Sequence, residues 1–260
     1  MRSLELEDQS WFPPLLRFYQ MEYLSWLAAR FGLYAPLTNA MQYLLQCHPS
    51  EQWTDCCSGA AGPVASLIEE GIEPRGLILA DQYPQLPSEL LLVPFDLVHY
   101  RLPADSIPGE GLVTMFNAFH HFAADVQQQW LQQAAAQQRP LLVAEITRPT
   151  LLSWLAVTLA GTLGVLLFTP FIQPFSFKRL LFTYLLPINI ISITWDGWMS
   201  VFGATSRSRM QQLATQLHSA HYKAYYFEAG PWWRRLAVLA GEPITPSGVS
   251  SFTSHLNNHA

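Results

Sequence analysis

The residues of this chain able to do chemistry are few, and they fall at sharp places. The first group is Asp55-Cys56-Cys57-Ser58-Gly59-Ala60-Ala61-Gly62, a run of small residues between a short apolar segment and a helical one. Small side chains there let the backbone approach a nucleoside-like ligand, and the start of the following helix offers free N–H groups. Asp81 closes the next apolar run, 19 residues past Gly62, where a carboxylate can accept hydrogen bonds from ribose hydroxyls. The second group is Asn117 with Phe119-His120-His121-Phe122. An imidazole there can take a proton from an acceptor O–H or N–H, since its pKa lies near neutrality. His121 is the first candidate base and His120 the second; capping the next helix is the bland role for both. Glu145 ends a further apolar run and would orient a substrate or pair with Arg148. Asp196, between Trp195 and Gly197, is a lone charge in an apolar stretch and needs a partner, either Arg179 or a substrate. Glu228, inside an aromatic strand, reads as structural.

These residues must be positioned by a scaffold, and its pattern is visible. Short apolar runs (WTDCC, GLILAD, GLVTMF, PLLVAEI) alternate with helical stretches of 10 to 15 residues from residue 53 to residue 146, which predicts βαβ units and a parallel sheet. HYKAYYFEAG and RRLAVLAGEP, joined at Gly230-Pro231, predict a closing hairpin. Upstream, Leu15, Phe18, Tyr19 and Tyr23, then Leu24, Leu27 and Phe31, follow helical spacing. Pro13 and Pro14 suit that helix's start and Gly32 its end.

Together the quoted segments resemble the class I S-adenosylmethionine-dependent methyltransferases, in a branch whose first motif reads roughly DLCSGGGGP and whose fourth reads F-x-x-FHHF. The matching segments are DCCSGAAGP (55–63), ADQYP (80–84), FNAFHHF (116–122), AEITRP (144–149), the run 169–188, WDG (195–197) and YYFEAG (225–230). The resemblance covers nearly all of the chain from about residue 50. It implies a doubly wound Rossmann-like α/β sheet ending in an antiparallel hairpin, and S-adenosylmethionine as cofactor. It places Asp55, Cys57, Gly59 and Gly62 beside the cofactor's methionine and ribose, with Asn117 on the same wall. Asp81 would hold the ribose, and Asp96 would be the acid on the adenine side. The chain departs from the branch at Ala60 and Ala61, where glycine is usual; alanine tolerates φ > 0 poorly, so a weaker cofactor site is expected there.

Composition sets the remaining limits. Half of the residues are hydrophobic and only 13% are charged, about half the roughly 25% of an ordinary globular protein. The net charge of −5 has the wrong sign for neutralising phosphates, so nucleic acid is excluded as a partner. Cys47, Cys56 and Cys57 form neither a disulfide framework nor a chelating pattern. With His120 and His121 as the only other soft donors nearby, no metal site is expected. The acidic start of the sequence is not a secretory signal, and a cytoplasmic protein, or one peripheral at a membrane, is expected.

Between Arg148 and Lys178 lie 29 residues without a charge, and Leu180 to Trp195 forms a second uncharged run. As a helix, 151–168 would measure about 27 Å, near the roughly 30 Å of a bilayer core. A single crossing would strand the closing hairpin on the wrong side. The insert is therefore read as a peripheral membrane element, a roof over an apolar or lipid-like acceptor, or a dimer contact through 150–195. The expected organisation is a helical cap (1–50), a cofactor-binding α/β core (51–149), a hydrophobic helical insert (150–205), the end of the core (206–243) and a mobile tail (244–260). The expected function is methyl transfer to a small-molecule acceptor. The alternative is a catalytically inactive protein of this fold, acting as a membrane-associated binding or assembly subunit of a biosynthetic complex.

Overall fold

The computed structural model describes residues 4–85 and 94–244; the tail from residue 245 and the Pro-rich stretch 86–93 lie outside the described residues. Seven strands form one sheet: β1 (Gln52–Cys56), β2 (Gly76–Asp81), β3 (Asp96–His99), β4 (Leu112–Phe116), β5 (Leu141–Glu145), β6 (Tyr222–Ala229) and β7 (Leu236–Pro243). Their order is β3-β2-β1-β4-β5-β7-β6. The first five run parallel, and β7 joins β5 antiparallel before pairing with β6 in the hairpin. This is the doubly wound Rossmann-like arrangement with an antiparallel end.

Every residue of β4 and β5 is buried. A parallel strand covered on both faces reads as a near-continuous apolar run; LVTMF and LLVAE are interrupted only by Thr114 and Glu145, both hydrogen-bonded. On one face of the sheet α1 (Pro14–Arg30), α2 (Thr38–Gln46) and α3 (Gly62–Glu69) enclose Leu37, Met41, Trp53, Val64 and Leu67. On the other, α4 (Ala124–Ala136) and a later helix, Arg207–Leu217, enclose Trp130, Leu131, Met210 and Leu213.

The insert forms three helices between β5 and that last helix. We call them α5 (Leu151–Phe171), α6 (Phe177–Leu185) and α7 (Ile188–Gly203), which makes Arg207–Leu217 α8; α6 and α7 meet at a bend of 76°. Helix α5 is long and apolar enough to cross a bilayer, yet only 17% of its apolar window is buried inside the protein. Gly161 lets α5 approach α7 closely, because a Cβ there would lie 2.8 Å from the Thr194 Cα. One side of α5 and α7 faces the body of the protein, where Tyr23, Val165, Ile172 and Ile193 pack together. Exposed on the insert are Leu151 (77%) of α5, Phe177 (80%) and Leu185 (74%) of α6 and Phe202 (76%) of α7.

Two expected ion pairs are replaced by others. Arg179 is bound not by Asp196 but by Glu22 of α1 at 2.6 Å, both groups buried. Arg148 pairs with Glu228 at 3.5 Å and not with Glu145. Glu228 also meets Arg235 at 3.3 Å, as a structural acid would.

Candidate active site

In an open α/β sheet, ligands gather outside the carboxyl ends of the strands, and here that edge opens into a roofed cavity of about 300 Å³. Its floor comes from the loop after β1, the end of β2 and the loop after β4. Its roof comes from α1, from the segment preceding α1, and from Val157, Gly161, Ile193, Asp196 and Ser200 of the insert. Volumes of this size suit small organic ligands.

The loop after β1 carries the cofactor-type features. Cys57 (φ 59°), Gly59 (φ 52°) and Ala61 (φ 56°) take left-handed conformations, whereas Ala60 does not. Only one of the two alanines therefore sits where glycine would be favoured, at a cost of about 1–2 kcal/mol. A different constraint acts on Gly62: a Cβ there would fall 2.4 Å from the Ser25 Cα, so Gly62 lets α3 start directly beneath α1. Asp81 Oδ2 accepts the Gly59 N–H at 2.9 Å and Oδ1 accepts the Tyr83 N–H at 2.7 Å. An ionised carboxylate has about four acceptor positions, so each oxygen keeps one for a hydroxyl. Burial raises the Asp81 carboxyl above the ordinary range, and those two N–H donors oppose the rise. Ser58 Oγ and Gln20 Oε1 are buried on the cavity wall and make no hydrogen bond with the described residues.

Asn117 (φ 48°) follows β4 and lines the same wall; its Oδ1 accepts from Ile146 N at 3.2 Å and Thr147 N at 3.4 Å. It thus ties the ends of β4 and β5 together. His120 and His121 follow on a tight turn, Phe119–His121. His120 Nδ1 lies 2.5 Å from Glu145 Oε2, and Glu145 Oε1 accepts the Phe119 N–H at 2.9 Å. His121 Nδ1 lies 2.7 Å from Asp8 Oδ2, and its Nε2 lies 3.1 Å from Glu5 Oε2. Burial alone would strip the proton from His120, but Glu145 and Glu5 outweigh it and hold the imidazolium up to about 10. His121 is shifted upward for the same reason: Glu5 and Asp8 overcome its burial and the repulsion of His120.

The structure brings Cys57, Gly59, Gly62, Asp81, Asn117 and His121 to the cavity wall. His120 and Glu145 stand directly behind His121. Two expected residues lie elsewhere. Asp55 is turned away into the sheet, where its Oδ1 accepts the Thr114 hydroxyl at 2.5 Å; burial pushes its carboxyl up to about 8 despite that bond. Asp96 opens β3 instead of closing it. It pairs with Ile78 while His99 pairs with Asp81, so Asp96 is exposed at the far end of the strand from the cavity.

Five functional candidates escaped the sequence reading: Glu5, Glu7, Asp8, Arg17 and Gln20, all on the cavity wall. Glu5, Glu7 and Asp8 belong to a segment that straps over the site, and Arg17 and Gln20 of α1 hold it. The Leu6 and Glu7 N–H groups donate to the two oxygens of Asp196 at 2.6 and 3.1 Å, and Gln20 Nε2 donates to Asp196 Oδ2 at 2.6 Å. Arg17 donates to the carbonyls of Glu7 and Gln9 at 2.7 and 2.8 Å, and its guanidinium stacks 3.8 Å from the Tyr83 ring. Asp196 thus anchors the strap. The cluster of carboxylates raises the Asp196 and Glu7 pKa values, burial being the largest cause for both.

No family model matches the chain, and no curated protein matches it. Among solved structures, the plantazolicin methyltransferase BpumL in complex with SAH aligns over 88% of this chain and 95% of its own, with 8% identity and a TM-score of 0.48. PigF with SAH aligns over 90% of this chain and 62% of its own, with 16% identity and a TM-score of 0.49. PKMT2 from Rickettsia typhi in complex with AdoHcy aligns over 80% and 52%, with 10% identity and a TM-score of 0.42. At these levels the reading of the site rests on the chain's own geometry.

Proposed function

We propose that this protein transfers the methyl group of S-adenosylmethionine to a small-molecule acceptor enclosed in the roofed cavity, while the outer face of its insert rests on a membrane. The observation that carries the proposal is the pairing, on one cavity wall, of the left-handed loop 57–61 with the Asp81 carboxylate, which keeps acceptor positions for two hydroxyls. Ser58 Oγ and Gln20 Oε1, buried without hydrogen-bond partners among the described residues, supply further polar contacts for a ligand there.

In such a transfer the acceptor's lone pair bonds the methyl carbon as the carbon–sulfur bond breaks. The bond's electron pair stays on sulfur, which gives S-adenosylhomocysteine. The chain's contribution is alignment of the two reactants and exclusion of water by the strap and roof, which favours a reaction that disperses charge. The acceptor's proton passes to the coupled set of His121, Asp8 and Glu5. With the His121 pKa shifted upward, the base is that set acting together and not the imidazole alone.

The membrane element of the proposal rests on the exposed side of α5, α6 and α7. Large exposed apolar side chains gathered on one element mark an interaction site, and helices lying in the interface bury such a face at the headgroup boundary. Residues of α5 and α7 also roof the cavity, so docking would place the site's cover against lipid.

Titration of S-adenosylhomocysteine, followed by heat or by melting temperature, tests the cofactor reading: saturable binding is expected, and Asp81→Ala abolishes it. Absence of binding by the wild type selects the inactive binding or assembly protein instead. Flotation with anionic and neutral vesicles tests the docking; Leu151→Glu combined with Phe177→Glu should release the protein from both.

A further inference from the structure

Behind the His121 side of the cavity, two imidazoles and one carboxylate converge. Each imidazole has its Nδ1 held by a carboxylate, His120 by Glu145 at 2.5 Å and His121 by Asp8 at 2.7 Å. That turns both Nε2 atoms toward Glu5, at 3.5 Å from Oε1 for His120 and 3.1 Å from Oε2 for His121. The His120 side chain is 1% exposed, and its Nε2 makes no directed hydrogen bond with the described residues. One ligand atom from each of Glu5, His120 and His121 fits within 4.8 Å of the others.

We propose that Glu5, His120 and His121 bind one divalent transition-metal ion of the zinc class, with its open position on the cavity side. Zinc bonds of roughly 2.0–2.2 Å in tetrahedral geometry set ligand atoms about 3.3 Å apart; here the two Nε2 atoms, of His121 and His120, lie 3.1 and 3.5 Å from the Glu5 carboxylate, on its Oε2 and Oε1 respectively. A carboxylate on the far nitrogen of a metal-bound histidine fixes its tautomer and orientation, and both imidazoles carry one. Two nitrogens and one oxygen suit zinc, iron or manganese; calcium and magnesium prefer all-oxygen shells.

Charge points the same way. Glu5, Glu7, Asp8, Asp81 and Asp196 line the cavity, and Arg17 is the one arginine or lysine among its described lining residues. A dication, displacing the histidine protons as it binds, offsets carboxylates that are otherwise buried together. Glu5 and His121 line the cavity, so the open position faces the acceptor. A hydroxyl bound there would be acidified as metal-bound water is, which names an oxygen nucleophile as the acceptor class. That last role rests on the methyl-transfer reading, with the ion taking over from His121 and Glu5 the part of the base described above; the cation site itself does not rest on it.

The test is titration of Co²⁺ into the full chain after chelator treatment, followed by visible ligand-field absorption and then by displacement with Zn²⁺. One equivalent in a tetrahedral-type spectrum is expected. Glu145→Gln should weaken binding roughly 10–100-fold, and Glu5→Gln and His120→Ala should weaken it further. Melting temperature and S-adenosylhomocysteine binding monitor the fold of each variant, and the conservative Glu145→Gln serves if the others unfold. No uptake by the wild type overturns the proposal, leaving the histidines as imidazolium partners of the acids. So does uptake unchanged in both Glu5→Gln and His120→Ala, which would point to the cysteine thiols. Failure to bind S-adenosylhomocysteine would count only against the cofactor reading, because cobalt uptake is read independently of it.

Discussion

The two halves of the cavity are built in opposite ways. The half beside Asp81 comes from one short stretch of chain, the β1 loop and the end of β2, and its key bond, Gly59 N–H to Asp81, spans 22 residues. The half beside His121 is gathered from afar: Asp8 reaches His121 across 113 residues, and Asp196 holds Leu6 across 190. The first half is backbone shape with few charges. The second is a set of buried acids and imidazoles that hold one another in place. A local half tolerates change elsewhere in the chain, whereas an assembled half depends on every segment that contributes to it.

Substitutions can break that contrast, and the largest effect is expected where the halves touch. Gly62→Val drives a side chain into the α1 backbone at Ser25; overpacking of this kind costs about 3 kcal/mol. The melting temperature should fall by roughly 6–12 °C, with both ligands lost together in calorimetry. Next comes Asp196→Ala, which removes the acceptor for two N–H groups and Gln20 at about 2–3 kcal/mol. Here the loss should stay local. Limited proteolysis would open residues 4–12 and cobalt uptake would weaken, while S-adenosylhomocysteine affinity stays within threefold of wild type.

A smaller change sharpens the local half by itself. Ala61→Gly relieves a left-handed alanine worth about 1–2 kcal/mol but frees the unfolded chain by about 0.5–1 kcal/mol. A melting temperature unchanged or higher by up to roughly 6 °C is expected, with cofactor binding no weaker than wild type. The smallest effect belongs to a control outside both halves, Glu228→Gln. Partial burial opposes ionisation of Glu228, but the Tyr226 hydroxyl, Arg148, Arg207 and Arg235 outweigh it and hold the carboxyl below its ordinary range. A depressed acid contributes its stability above its unfolded pKa, about 4.3, and loses it as the pH falls through the folded value. At pH 7 the variant should be destabilised by about 0.5–1 kcal/mol, and denaturant melts at acid pH should show the gap closing.

The same contrast decides what the sequence alone could convey. The parallel βαβ sheet, the closing hairpin and the placement of Asp81, Asn117 and His121 were legible because each follows from local periodicity or from the end of a strand. Asp96 misled because the strand was taken to end at that acid, when it begins there; a four-residue edge strand, Asp96–His99, leaves little periodicity to count. Asp55 misled because strand alternation says which face a side chain takes only once the loop's register is known. Glu5, Glu7 and Asp8 were given no role beyond an acidic start that is not a secretory signal, since nothing local tells a strap from a tail. The one available signal was mutual need: Asp196, an isolated charge in the insert, required a partner, left open between Arg179 and a substrate. Arg179 is taken by Glu22, which the sequence did not single out, because two buried acids cannot be told apart by composition.

The anchoring of Leu6 and Glu7 by Asp196 also has a consequence for how the molecule is made. Residues 4–12 leave the ribosome well before their holdfast, which is synthesised 190 residues later. At roughly 5–20 residues per second, the strap waits on the order of ten to forty seconds with its acids in water. The five parallel strands and the β1 loop are synthesised before the lid has anything to grip, and the closing hairpin, β6 and β7, follows the holdfast. On this order of events the nascent chain presents an open cleft, with the apolar insert emerging just before closure, when a lipid surface or a chaperone would meet it first.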